Sequence, residues 1–341
     1  MIPSAPLAAT AITLLLKATL VVAVAGLVAA ALRRRASAAT RHLVWLIAIV
    51  ALLALPLLAA VLPAWRVATV PASVAPPAAP APAVSAPAYS ADGPAAAVPA
   101  SSADRQAAPE PAAGSALPHS RTSALPSIPR LPLWGWLAMA YAAGALMLLA
   151  QVLLGRSEVR RLGRGAVALN DDPEWGPLLR DLTWMAGIDR RVILLRSRRE
   201  TMPMTWGTLR PCILLPHDAG TWSDERRRVV LLHELAHVAR HDCLSQMAAG
   251  VACAVYWMHP GVWYAARRLR VERELACDDR VLSAGTRARE YAEHLLDVAR
   301  TLQPASRTAM VAVSMARPSH LEGRMLAVLD AMRSRRAPSR R

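Results

Sequence analysis

Phenylalanine is absent from all 341 residues, and lysine occurs once, at Lys17, within a total of 40 basic residues. Ten Trp and five Tyr make up the whole aromatic complement. With so few stacking side chains there is no aromatic platform, and no helix reads as a groove-reading element, so the net charge of +16 does not mark a nucleic-acid-binding protein. The preference for Arg over Lys, beside abundant Ala and Pro, has the look of a coding bias. Cysteine is scarce as well. Cys212, Cys243, Cys253 and Cys277 show no C-x-x-C spacing, which leaves no Cys-rich structural zinc site and reads as reduced, buried small residues.

What is present in quantity is apolar surface, 54% of residues, gathered into runs. Leu7 to Leu32 is interrupted by Lys17, Gly26 and a few threonines, Leu43 to Leu62 forms a second run, and Leu131 to Leu154 a third. Each is long enough to cross a hydrocarbon core about 30 Å thick. The first run has no basic residues ahead of it and Arg33-Arg34-Arg35 directly after it, the charge order of an uncleaved span with its N-terminus outside. Arg33 to Arg41 then reads as a short cytoplasmic turn. The second span returns outward, and the third re-enters to meet Arg156, Arg160, Arg161 and Arg164. The basic clusters thus lie beside spans, where anionic lipid accounts for them.

Residues 1–65 are therefore read as two membrane helices and 131–154 as a third. Between them, residues 66–130 are dominated by Ala, Pro and Ser, with Pro76, Pro77, Pro80 and Pro82 in close succession. Such a segment cannot bury enough surface to fold, and it is expected to be a disordered extracytoplasmic linker. Residues 155–330 are read as one further domain, of which 155–230 look like a small soluble unit. In it, Val192 to Ser197 and Thr205 to Pro216 are strand-like runs whose exposed edge would suit an extended peptide. Cys243 to Met258 is apolar but short for a full crossing, and is read as a re-entrant or interfacial helix that returns its flanks to the same side. The Arg-rich residues 331–341 are expected to be a disordered tail.

The chemistry concentrates in His233-Glu234-Leu-Ala-His237. Two imidazoles four residues apart share a helical face and can hold one metal ion, while Glu234 between them can serve as base toward the metal's water. Ser223 precedes the segment as a helix cap, with Asp224 and Glu225 in the first turn. A catalytic zinc takes three protein ligands and keeps a position open. The third is expected from the helical stretch Arg270 to Asp278, where Glu274 is the preferred ligand and Asp278, one turn on, is free to brace a ligand imidazole. Glu272 competes, but it points about 160° away from Glu274 on a helix. Cys277 ranks below that carboxylate. The set predicts a single zinc ion and amide hydrolysis by activated water, with Glu234 moving the proton. The competing reading is a catalytically silent membrane signalling scaffold whose histidines are ordinary polar residues of a buried helix.

Together these residues resemble the BlaR/MecR family of integral-membrane zinc metallopeptidases, signal transducers of inducible beta-lactam resistance, and their relatives. The resemblance lies in Gly207-Thr-Leu-Arg-Pro-Cys-Ile-Leu-Leu-Pro216, His233 to Asp242, Arg273-Glu-Leu-Ala-Cys-Asp278 and, more weakly, Ser319-His-Leu-Glu-Gly-Arg324. It implies a mainly α membrane protein with a small α+β, gluzincin-like peptidase domain. It also implies zinc on His233, His237 and Glu274, catalysis by Glu234, and a site facing the cytoplasm at the bacterial inner membrane. The implied partners are the lipid bilayer and a protein substrate, either a transcriptional repressor or the protease itself. The sequence ends at Arg341 without a penicillin-binding sensor domain, so beta-lactam sensing is not expected from this chain alone.

Overall fold

Long apolar runs without a polar face become long helices, and three of them are wide enough to span a bilayer: α1 (Ser4–Ala31), α2 (Ala38–Val61) and α3 (Leu133–Arg164). The computed structural model describes residues 4–61, 132–300 and 318–335. The 66–130 linker lies outside the described residues. Large side chains such as Leu16, Leu27, Leu57 and Leu153 are exposed on these helices, the distribution expected where the solvent is lipid.

The inward faces of α1 and α2 are built differently. Small residues of α1 (Ala18, Ala25, Ala29) accept Trp45, Ile49 and Leu52 of α2, and this layer continues into α6 (Asp242–Val255) and α7 (Pro260–Ser283) through Ala252, Val262 and Leu269. The Cys243–Met258 stretch thus becomes a 14-residue helix, about 21 Å at 1.5 Å per residue, followed by a reversal at His259-Pro260. Backbone carbonyls at this level are capped by phenols, Tyr256 donating to Leu52 O and Tyr141 to Val255 O. Trp257 closes over Gly144 of α3, where a Cβ would stand 2.8 Å from the indole.

The expected cytoplasmic turn is shorter than Arg33 to Arg41, because α2 begins at Ala38 with Ser37 accepting a hydrogen bond from the Thr40 amide. Arg41 therefore sits inside the helix and is buried. Its Nε and Nη2 both lie 2.9 Å from Glu272 Oε2, and Arg268 Nη2 donates to the other oxygen at 2.7 Å. Charges this deep persist only when paired, and here the pairing ties α2 to α7.

The remaining described residues form a four-stranded sheet with helices on it. Strands β1 (Val167–Ala168), β2 (Ile193–Arg196), β3 (Met204–Trp206) and β4 (Cys212–Leu215) take the order β1-β2-β4-β3. β2 and β4 are parallel, with Leu194 beside Ile213, and the outer pairs are antiparallel. The Thr205–Pro216 run, expected as one strand, splits because Gly207 adopts φ +90°, and an added Cβ there would stand 2.3 Å from Arg210 O. The chain reverses, and Thr205 pairs with Ile213. Leu194, Ile213 and Leu215 meet α4 (Trp175–Met185) and α5 (Asp224–Ala239) through Leu179, Leu182, Leu231 and Leu235, all buried. Helices α8 (Ala288–Arg300) and α9 (Pro318–Leu329) complete this core with Tyr291, Leu295 and Val328. Of the expected tail, residues 331–335 are described and turn back, with Arg335 Nη2 donating to Val328 O at 2.8 Å.

Candidate metal centre

Ser223 caps α5 by accepting the Arg226 amide, and Asp224 and Glu225 in the first turn suit the helix dipole. Leu231, Leu235 and Val238 bury one side of the helix in the core. The opposite side carries His233 and His237, whose rings stand 4.9 Å apart and nearly perpendicular.

Helix α7 crosses this face and delivers Glu274. Its Oε2 lies 3.6 Å from His233 Nε2 and 4.0 Å from His237 Nε2, and the three donor atoms all fall within 4.8 Å of one another. Zinc bonds of about 2.0–2.2 Å in a tetrahedron put ligand atoms roughly 3.3 Å apart, so these side chains need only a small inward adjustment to fit the ion. Glu274 is prepared for the role by its neighbour, since Arg273 Nε and Nη2 hold Oε1 at 3.1 and 2.8 Å and leave Oε2 toward the histidines. Burial opposes ionisation of Glu274. The Arg273 charge and the His233 hydrogen bond outweigh it and keep the carboxyl well below its ordinary range.

Both imidazoles are oriented from behind. His237 Nδ1 lies 2.8 Å from Asp242 Oδ2; a carboxylate can only accept, so Nδ1 carries the proton and Nε2 offers its lone pair to the cleft. His233 Nδ1 lies 3.1 Å from the Tyr291 oxygen and 3.4 Å from Asp278 Oδ1, and the phenol donates to that same carboxylate at 2.6 Å. Asp278 thus stands behind His233, with Tyr291 beside it. Burial alone would lower the His233 pKa, but its bonds to Asp278 and Glu274 raise it to about 9. A metal entering the site must displace that proton, so its affinity falls as pH drops.

Glu234 is buried and uncommitted to the donor cluster, and Thr205 of β3 donates to its Oε2 at 2.6 Å. Glu272 is turned away onto Arg41 and Arg268. Cys277 Sγ lies 3.3 Å from His237 Nδ1 and 3.6 Å from Asp242 Oδ2, which makes a second grouping of possible donors with His237. This grouping is the less suited to a cation, because His237 Nδ1 already faces Asp242 and burial pushes the Cys277 thiol well above its ordinary pKa.

Sequence reasoning did not find Asp242, Tyr291, Arg324 or Thr205. Asp242 had one signal, its position directly after the motif helix. It reaches His237 because His241 takes a left-handed conformation (φ 56°, ψ 37°) that ends α5 and turns α6 back. Asp242→Ala is expected to weaken zinc binding about 10- to 100-fold with the fold retained, measured by titration against a competing chelator. Unchanged affinity would show that the Asp242 hydrogen bond does not set His237.

Two imidazoles on one helix and a carboxylate from a crossing helix thus make a group of three possible metal donors, carried by a chain with three helices long and apolar enough to cross a membrane. The model of the family described as BlaR1 peptidase M56 matches residues 9–328, and the chain belongs to that family. It is similar to the regulatory protein BlaR1 of Bacillus licheniformis, 41% identical over 93 residues, which is 27% of this chain and 16% of that protein. It is also similar to the methicillin resistance mecR1 proteins of Staphylococcus aureus and Staphylococcus epidermidis, 29% identical over 94 residues, again 27% of this chain and 16% of theirs. The aligned stretch is thus about one sixth of each relative's own length.

Proposed function

We propose that this chain is a zinc-dependent endopeptidase of the bacterial inner membrane that cleaves a protein substrate in regulatory signalling, with its site facing the cytoplasm. The carrying observation is the convergence of His233 Nε2, His237 Nε2 and Glu274 Oε2, with Glu234 following His233 directly on the same helix. The orientation is supported by Arg33-Arg34-Arg35 after α1 and by Arg161 and Arg164 in the last turn of α3, just ahead of the soluble portion.

His233, His237 and Glu274 would hold a zinc ion, which would supply Lewis acidity toward the substrate carbonyl and the attacking water. Glu234 accepts the proton from the attacking water and returns it to the departing amine. Thr205 holds one oxygen of that carboxylate by hydrogen bond and so limits its rotation. Asp242, Asp278 and Tyr291 keep the imidazoles in the tautomer that leaves Nε2 free. β3, an edge strand next to Glu234, is the surface on which an extended peptide is laid by strand addition. The substrate is a protein, either a transcriptional repressor, in keeping with the regulatory names of the relatives, or this chain itself.

Purified full-length protein in detergent is expected to carry about one zinc per chain and to hydrolyse fluorescently labelled casein. Treatment with 1,10-phenanthroline should stop hydrolysis, and added zinc should restore it. Protein that binds no metal, or cleavage indifferent to the chelator, would remove this reading.

A further inference from the structure

The Ser319-His-Leu-Glu-Gly-Arg324 segment has no part in the reaction above, yet α9 carries its last residue into the site. Arg324 is gripped through two nitrogens, Nε at 2.9 Å from Asp278 Oδ2 and Nη2 at 2.6 Å from Asp278 Oδ1. That fork sets the plane of the guanidinium, because Asp278 is buried and itself held by the Tyr291 hydroxyl. The remaining nitrogen, Nη1, points to the other side and lies 3.6 Å from Glu274 Oε2, the oxygen that faces His233 and His237. The Arg324 side chain is 19% exposed against 2% for Asp278, so the cation is the more accessible member of the pair.

A fixed positive charge this close to atoms gathered for a divalent cation works against ion binding. Bracing of His233 does not require it, since Asp278 and Tyr291 already supply that contact. The edge of the cation that Asp278 does not hold suits an anion that forms beside it during the reaction. Resting on the peptidase reading, we propose that Arg324 Nη1 hydrogen-bonds the carbonyl oxygen of the bound peptide and stabilises the negative charge that develops there. As the water oxygen bonds to the carbonyl carbon, the π electrons move onto the carbonyl oxygen opposite Nη1, and the water proton passes to Glu234. When that pair returns, the C–N bond breaks and the nitrogen leaves with the proton from Glu234.

The test uses full-length protein in detergent, loaded with Co(II) and titrated with inorganic phosphate, a tetrahedral anion, while the visible absorption of the metal is followed. Arg324→Gln is expected to keep its cobalt and to bind phosphate roughly tenfold to a hundredfold more weakly than the unaltered protein, the loss of one charge-assisted hydrogen bond. Arg324→Lys, which keeps the charge but not the fork, should recover part of that difference. Equal phosphate affinity in the Gln variant, or no phosphate binding by the unaltered cobalt form, would overturn the proposal. So would loss of cobalt from the Gln and Lys variants alike, which would make Arg324 an anchor for Asp278 only. Unaltered protein that takes up no cobalt would instead overturn the metallopeptidase reading, and this proposal with it.

Discussion

Glu234→Gln is expected to retain zinc at the stoichiometry of the unaltered protein and to lose cleavage of labelled casein by at least about a thousandfold. The two properties separate because Glu234 stands outside the donor cluster of His233, His237 and Glu274. Gln has the same volume and still accepts the Thr205 hydroxyl, which in the native protein lies 2.6 Å from Oε2, so the packing of β3 on α5 survives. What disappears is a group able to take a proton from water and give it to an amine. General acid–base groups contribute about 10²–10⁴-fold, and this one serves both halves of the reaction. Metal content by elemental analysis and initial rates on the same preparation decide the matter. A Gln variant within tenfold of the native rate would mean that another group moves the proton.

Glu274→Ala is the second large effect, and it falls on the metal itself. The substitution removes one of three donors and leaves Arg273 without the carboxylate oxygen that holds its Nε and Nη2. Two imidazoles alone do not make a catalytic zinc site, so affinity should drop by several orders of magnitude and activity with it. The variant should still fold, because Arg273 keeps its bond to Gln246 and the neighbouring Cys277, Asp278 and Val281 of α7 remain packed. Circular dichroism and gel filtration check the fold, and titration against a competing chelator reads the metal. Zinc held as tightly as in the native protein would move the third donor elsewhere. Glu272 would be a poor replacement, since it is committed to Arg41 and Arg268 on the opposite side of α7.

Much of this site could be read from local pattern. A cap at Ser223, acids in the first turn and two histidines at a four-residue spacing are short-range features, governed by the 3.6-residue helical repeat, and the structure places them on one helix with both rings on one face. The same repeat separated Glu274 from Glu272, and α7 turns them to different partners. Thr205, Tyr291 and Arg324 were given no site role for the converse reason. Thr205 lies 29 residues from Glu234, Tyr291 58 from His233 and Arg324 46 from Asp278, each on a strand or helix whose own pattern says nothing about the site. Arg41 was misplaced in the turn because a run of basic residues near a span reads as interfacial. Its burial depends on Glu272, 231 positions later.

By itself the sequence determined the three long apolar helices and the motif helix, because hydrophobic length and helical periodicity act over tens of residues at most. The tertiary structure decided how α7 crosses α5, which oxygen of Glu274 faces the imidazoles, and which carboxylate stands behind each ring. Those depend on distances between segments far apart in the chain, set by the packing of α6, α7, α8 and α9 against one another, and no local pattern encodes a crossing angle.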